Sequence, residues 1–303
     1  MCDFGADHAF GQVENKLKEH YGIELASSAS RVITERHATE ISERKDLKKV
    51  APFNVEQVIA ECDGCMVPIV ETFVPEDTAS SKDRRKNKTT FWKEARLSLA
   101  RADNSKSPCF AGTMGTVQMA GAQLVDCVRQ VGAYSETRIH AVGDRAAWIA
   151  LQIEEQFGSK GTYLIDFFFF FEYLSAAAES CAGTHPEPWL TLQKKRMKQN
   201  EYHEVLRAFQ PYREAHDVED EHAPVRACYR YINNRPEQLD YKSAIEKNLP
   251  IGSGEVESAH RYVIQKRLKI AGAWWKASNA EHMLNLRTCR ANGLWNEYWK
   301  KTA

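Results

Sequence analysis

The sequence predicts an α/β protein: a sheet of three consecutive strands, then helices alternating with further strands, with a helical insertion and an N-terminal helical region. Three observations predict it. Apolar residues recur at helical spacing over residues 1–50 and again from about 172 onward. From Asn54 the pattern changes to period two. Between about 121 and 171, strand-like apolar runs alternate with amphipathic stretches of about a dozen residues, the mark of a sheet with crossover helices.

Taken in order, FGQVENKLKEHYG places Phe10, Val13 and Leu17 on one face and stops at Gly22. ELASSASRVITERHATEI follows after a short turn. The two predict either a helix-turn-helix that contacts DNA or a packing hairpin that does not. The chain begins within this helical region, which predicts a longer N-terminal part. VEQVIAECDG and VPIVETFV read as two strands joined by a turn at Asp63-Gly64, a common turn pair. PEDTASSKDRRKNKTT reads as a polar loop and FWKEARLSLARA as a third strand. GAQLVDCVRQVGAY is a helix, RIHAVGD a fourth strand, RAAWIALQIEEQFG a helix and GTYLIDFFFFF a fifth strand. That order matches a ribonuclease-H-like layout. The stretch to about Asn248 reads as a helical insertion, and 249–303 as mostly helical. The expected organisation is therefore 1–50 N-terminal helices, 51–171 the first part of the core, 172–248 the insertion, and 249–303 C-terminal helices that complete the core.

Composition narrows the functional classes. The chain has 303 residues, 43% apolar and 27% charged, with a formal net charge of zero. No run of eighteen apolar residues exists, so no membrane span is expected. The start MCDFGADHAF lacks the features of a signal peptide, and eight cysteines without one predict reduced thiols in a cytoplasmic protein. Charge is segregated: 82–101, 193–198 and 260–276 are basic, and EAHDVEDEH is acidic. Segregation permits a DNA-facing surface on a neutral protein, although each run also reads as a solvated face. The chain has no P-loop, dinucleotide fingerprint or HExxH, and its one CxxC, Cys62-Asp-Gly-Cys65, lacks the helical start of a redox pair or a second CxxC for zinc.

Three carboxylates stand in distinctive settings. Asp63 ends an apolar run, Asp144 follows the strand-like IHAVG, and Glu257 sits just past Gly252-Ser253-Gly254 at a helix start. Carboxylates converging from separate elements suit a pair of hard divalent cations and phosphoryl-transfer chemistry. Each also has a plain alternative. Asp63 reads as a turn residue, Asp144 as a helix N-cap, and Glu257 as negative charge at a helix start. Glu255 and Glu257 lie about 200° apart on a helix, so only one can face an interior site.

The contexts CDGCMVPIVE, AVGDRAAWI, LIDFFFFFEYLSAAA and LPIGSGEVESAHRYVIQKRLKIAGAWWKASNAEHMLNLRTCRANGLWNEYW occur in this order. Together they resemble insertion-sequence transposases of the ISKra4 family, DDE-type enzymes, over about residues 54–303. The C-terminal segment is the most specific, with GSG-x-x-E followed by Arg267-Leu268-Lys269, Gly272, Trp275 and Leu286-Arg287. The resemblance implies a ribonuclease-H-like fold with Asp63, Asp144 and Glu257 as catalytic triad and metal ligands. It implies two Mg²⁺ ions, with Mn²⁺ as the alternative, and double-stranded DNA, both transposon ends and target, bound by a homo-oligomer. Arg261, Lys266, Arg267 and Lys269 are the candidate phosphate contacts beside Glu257. Asp166 and Phe169 are candidate auxiliary residues. The family carries Asp-x-x-His there, and this chain has Phe169 at the histidine position. That departure keeps two alternatives open: a catalytically impaired, transposase-derived DNA-binding protein, and a ribonuclease-H-like nuclease without strand transfer.

Overall fold

The longest element in the computed structural model is a strand of eighteen residues, β1 (Val55–Thr72), which runs straight through Asp63 and Gly64. The structure describes residues 1–52, 54–73 and 87–302. The basic positions 82–86 and most of the expected polar loop lie outside the described residues. The expected hairpin at Asp63-Gly64 does not form. A Cβ on Gly64 would collide with the Glu94 side chain, so glycine here serves close approach to a neighbouring strand and not a turn.

Four further strands complete a mixed sheet: β2 (Lys88–Ala102), β3 (Cys109–Thr113), β4 (Ala133–Gly143) and β5 (Gly161–Ile165). Their order is β3-β2-β1-β4-β5. β2 and β3 pair antiparallel, with Leu97 opposite Gly112, and β4 and β5 pair parallel, with Ala141 opposite Tyr163. β3 has no counterpart in the sequence reading, and the two expected strands around Asp63 are one.

The helices are α1 (Cys2–Asp7), α2 (Phe10–Tyr21), α3 (Ser27–Glu43), α4 (Val117–Gln130) and α5 (Ala147–Phe157), then α6 (Phe167–Ala182), α7 (Pro186–Lys198), α8 (Tyr202–Phe209), α9 (Pro224–Asn233) and α10 (Tyr241–Glu246), and finally α11 (Gly254–Ala259), α12 (Lys266–Leu268), α13 (Ala277–Ala291) and α14 (Trp295–Thr302). A π-helical turn, His260–Gln265, joins α11 to α12. The five phenylalanines 167–171, expected to extend the fifth strand, form the first turns of α6. Asp166 decides this locally: its carboxylate caps the helix by accepting from the N–H groups of Phe168 and Phe169.

The chain divides into two compact units. The first comprises Met1–Glu56, Cys62–Ser135 and Gly254–Ala303. Its core gathers Val67 and Ile69 of β1, Leu97 and Leu99 of β2, Val256 of α11 and Met283 and Leu284 of α13, joined by Ala38 and Ile41 of α3. Gly112 is where α13 meets β3, since a Cβ there would strike the Leu284 side chain. The second unit comprises Gln57–Glu61 and Glu136–Ser253. Its core joins Val142 and Leu164 of the sheet to Phe167, Phe170 and Leu174 of α6, Val205 of α8, Ile232 of α9 and Tyr241 of α10. All eight cysteines are buried and none is in a disulfide. No helix among the described residues is long and apolar enough to cross a membrane.

Candidate active site

Asp63 and Glu257 belong to the first unit, Asp144 and Asp166 to the second. Asp63 sits mid-strand, and its Oδ1 accepts from the N–H of Gly64 at 2.6 Å. Its Oδ2 lies 3.4 Å from Nε2 of His260, a side chain only 3% exposed. Burial pushes the His260 pKa down to about 4, so the ring is neutral at pH 7. The contact is one of proximity and not a hydrogen bond, since both ring nitrogens of His260 are buried without a hydrogen-bond partner among the described residues. His260 was not among the residues expected at the site. The signal for it was there: a histidine three residues past Glu257, hence on the same helical face.

Glu257 therefore stands one turn before the residue that touches Asp63. It is exposed, and among the described residues nothing pairs with its carboxylate. Glu255 behaves differently: its Oε2 accepts from Nε of Arg101 at 2.6 Å. The expected opposition of the two glutamates is thus reflected in their surroundings, with one held by an arginine and the other open. Cys62 and Cys65 lie on opposite faces of a continuous strand. Cys62 meets the Ser98 hydroxyl, while Cys65, on the Asp63 face, lies 3.9 Å from Nζ of Lys269.

Asp144 directly follows β4. Its Oδ1 accepts from the Ala146 N–H at 2.9 Å, and the Tyr163 hydroxyl donates to its carbonyl. It stands two residues ahead of the N-cap position, Ala146, which offers no side-chain cap of its own. Asp166 is only 2% exposed, and besides capping α6 it accepts from the N–H and hydroxyl of Ser253, at 2.5 and 2.7 Å. Two of its four bonds cap α6 and the other two hold the Gly-Ser-Gly segment. Phe169 is half-buried in the first turn of α6.

The four expected phosphate contacts divide. Arg261, Lys266 and Lys269 are exposed, with Lys266 3.7 Å from Asp7. Arg267 is buried, which corrects its expected role. Its guanidinium lies between the rings of Phe10 and Trp275, 4.5 and 4.7 Å from their centroids, and Nε donates to the Gly5 carbonyl. Burial pushes its pKa down to about 10, leaving it charged at pH 7 but turned into the core. Among the described residues one trio of metal-capable side chains has its ligand atoms within 4.8 Å of one another: the exposed Glu219, Glu221 and His222, none of them an expected ligand.

Residues 122–301 match an uncharacterised protein family, UPF0236, and the chain belongs to that family. No curated protein matches it.

Proposed function

We propose that this member of the UPF0236 family is a DDE-type transposase on a ribonuclease-H-like core, cleaving DNA and joining the freed strand to a target. The observation that carries the reading lies in the first unit: Glu257 shares a helical face with His260, whose ring touches the Asp63 carboxylate. This contact supports reading Asp63, on a strand, and Glu257, at a helix start, as ligands of one site. The strand order β3-β2-β1-β4-β5, with antiparallel β2/β3 and parallel β4/β5, supports the ribonuclease-H-like core.

In this reading Asp144 joins Asp63 and Glu257 as the third ligand. The donor set is all oxygen, and Glu257 is open, which fits a hard cation such as Mg²⁺. Two such ions, when bound, supply positive charge to the scissile phosphate and activate the nucleophile, first water and then a DNA 3′-hydroxyl. The chain's own residues do the rest. His260 packs beside Asp63, and Arg101 keeps Glu255 engaged so that Glu257 alone is offered. Lys269 and Arg261, both exposed, take backbone phosphates of the duplex.

The test compares two variants. Glu257→Gln abolishes Mg²⁺-dependent DNA cleavage and leaves duplex binding nearly intact, whereas Glu255→Gln retains cleavage. The reverse outcome would refute the assignment. A strand-transfer assay on the wild-type chain separates a transposase from a nuclease of the same fold.

A further inference from the structure

Away from the carboxylates, the first unit holds a cavity of about 420 Å³, within the range of small-molecule sites. One wall is aromatic. Trp275 is fixed there as a short strand beside β1: Val70 N–H donates to its carbonyl and its own N–H donates to that of Pro68. Its indole N–H donates to the Leu268 carbonyl. Period-two geometry then turns the neighbouring Trp274 outward, where it is 45% exposed and 6.3 Å from the ring of Trp92, itself 55% exposed. Exposed tryptophans in contact are costly to leave in water and are a familiar stacking platform for planar ligands.

The other wall is cationic. Arg31 and Lys276 line the cavity, are exposed, and have no ion-pair partner among the described residues. The one carboxylate in the lining, Glu35, is engaged by the Asn279 amide at 2.8 Å. Arg267 adds a third positive charge to the same wall, and its buried Nη2 has no hydrogen-bond partner among the described residues. An aromatic face beside surplus positive charge calls for a ligand that is planar at one end and anionic at the other.

We infer that this cavity binds a single unpaired nucleotide, its base stacked on Trp274 and its phosphate held by Arg31 and Lys276. A free mononucleotide and an unpaired nucleotide within a DNA strand share this chemistry. The inference stands apart from the metal-dependent reaction, because none of its residues is an expected metal ligand.

The test uses the full chain in EDTA, so that cleavage plays no part, with a short fluorescent oligothymidylate as probe. Trp274→Ala weakens binding about tenfold or more, the usual loss for one stacked base, while Trp274→Phe loses less. Replacing Arg31 and Lys276 by Gln lowers the salt slope by roughly 0.7 for each phosphate contact removed. Competition by dTMP identifies a free-nucleotide site, and competition by unlabelled oligothymidylate alone identifies a strand site. Unchanged affinity in Trp274→Ala, or equal competition by a blunt duplex, overturns the inference. Because Glu257→Gln leaves these residues untouched, that variant binds the probe normally even if the cleavage assignment fails.

Discussion

Replacing Asp166 by Ala tests whether this carboxylate is a brace or a participant in chemistry. Its two oxygens accept four hydrogen bonds, from the N–H groups of Phe168 and Phe169 and from the N–H and hydroxyl of Ser253. Loss of the helix cap costs about 1 kcal/mol. Ser253 is 2% exposed, so water does not replace the lost acceptor, and each stranded donor costs about 1–3 kcal/mol. Rotation of the hydroxyl recovers part of that, and the sum is about 3–5 kcal/mol. At about 4 °C per kcal/mol for a unit of this size, the melting temperature falls by roughly 12–20 °C. Asp166→Asn keeps one acceptor for the helix but turns an amide donor toward the Ser253 N–H, and falls in between. Thermal unfolding by circular dichroism gives the shift, and cleavage is assayed below both midpoints. A melting temperature within about 2 °C of wild type, together with lost cleavage, refutes the bracing role and makes Asp166 a chemical participant.

Phe169→His raises the cleavage rate by about 10²–10⁴-fold if an imidazole at this place assists the reaction; a flat rate with a lower melting temperature marks Phe169 as a packing residue. Neutralising Arg261 and Lys269 lowers the salt slope of duplex binding by roughly 0.9 per phosphate contact, read from affinities at several salt concentrations. An unchanged slope removes this helix from the interface. Acid weakens the fold through buried imidazoles, His140 and His260 among them. Burial lowers the pKa of His140, whose Nε2 meets the Pro250 carbonyl, and brings that of His260 to about 4. Both are held neutral, so their contribution is complete above about pH 6.5 and is lost as pH falls through that value toward the folded pKa. Urea titrations from pH 7 to 4 measure the loss, and His140→Gln makes the decline shallower.

Much of the layout was legible because helix caps and period-two runs are local signals. The fourth strand, the helix after it and the helix before it lie close to where the pattern put them. The failures have local causes too. Asp63-Gly64 carries turn chemistry, yet the strand continues through it as an interior strand between β2 and β4. Phenylalanine favours strands, so the run 167–171 read as one, but the cap at Asp166 starts a helix instead. β3 has only five residues and no clean alternation, and pairing with β2 alone defines it. At the site, helical geometry said that only one of Glu255 and Glu257 can face it, and the resemblance chose Glu257. The partner of Asp63 was not legible, because its contact joins residues nearly two hundred positions apart.

The π-helical turn explains why Arg267 could not be placed by counting. Ten residues along an unbroken α-helix bring a side chain about 280° round the axis from Glu257, a lateral neighbour within reach of the same ligand. A π turn takes in one extra residue before the helix resumes, which sets everything downstream back by about 100°. Arg267 is then about 180° from Glu257, and the helix carries its carboxylate and its guanidinium back to back. The widened turn between them, His260–Gln265, works as a phase shifter. It lets one short helix present an acid to one neighbourhood and send a cation to another, and inserting one more residue there would turn Arg267 back toward the side of Glu257.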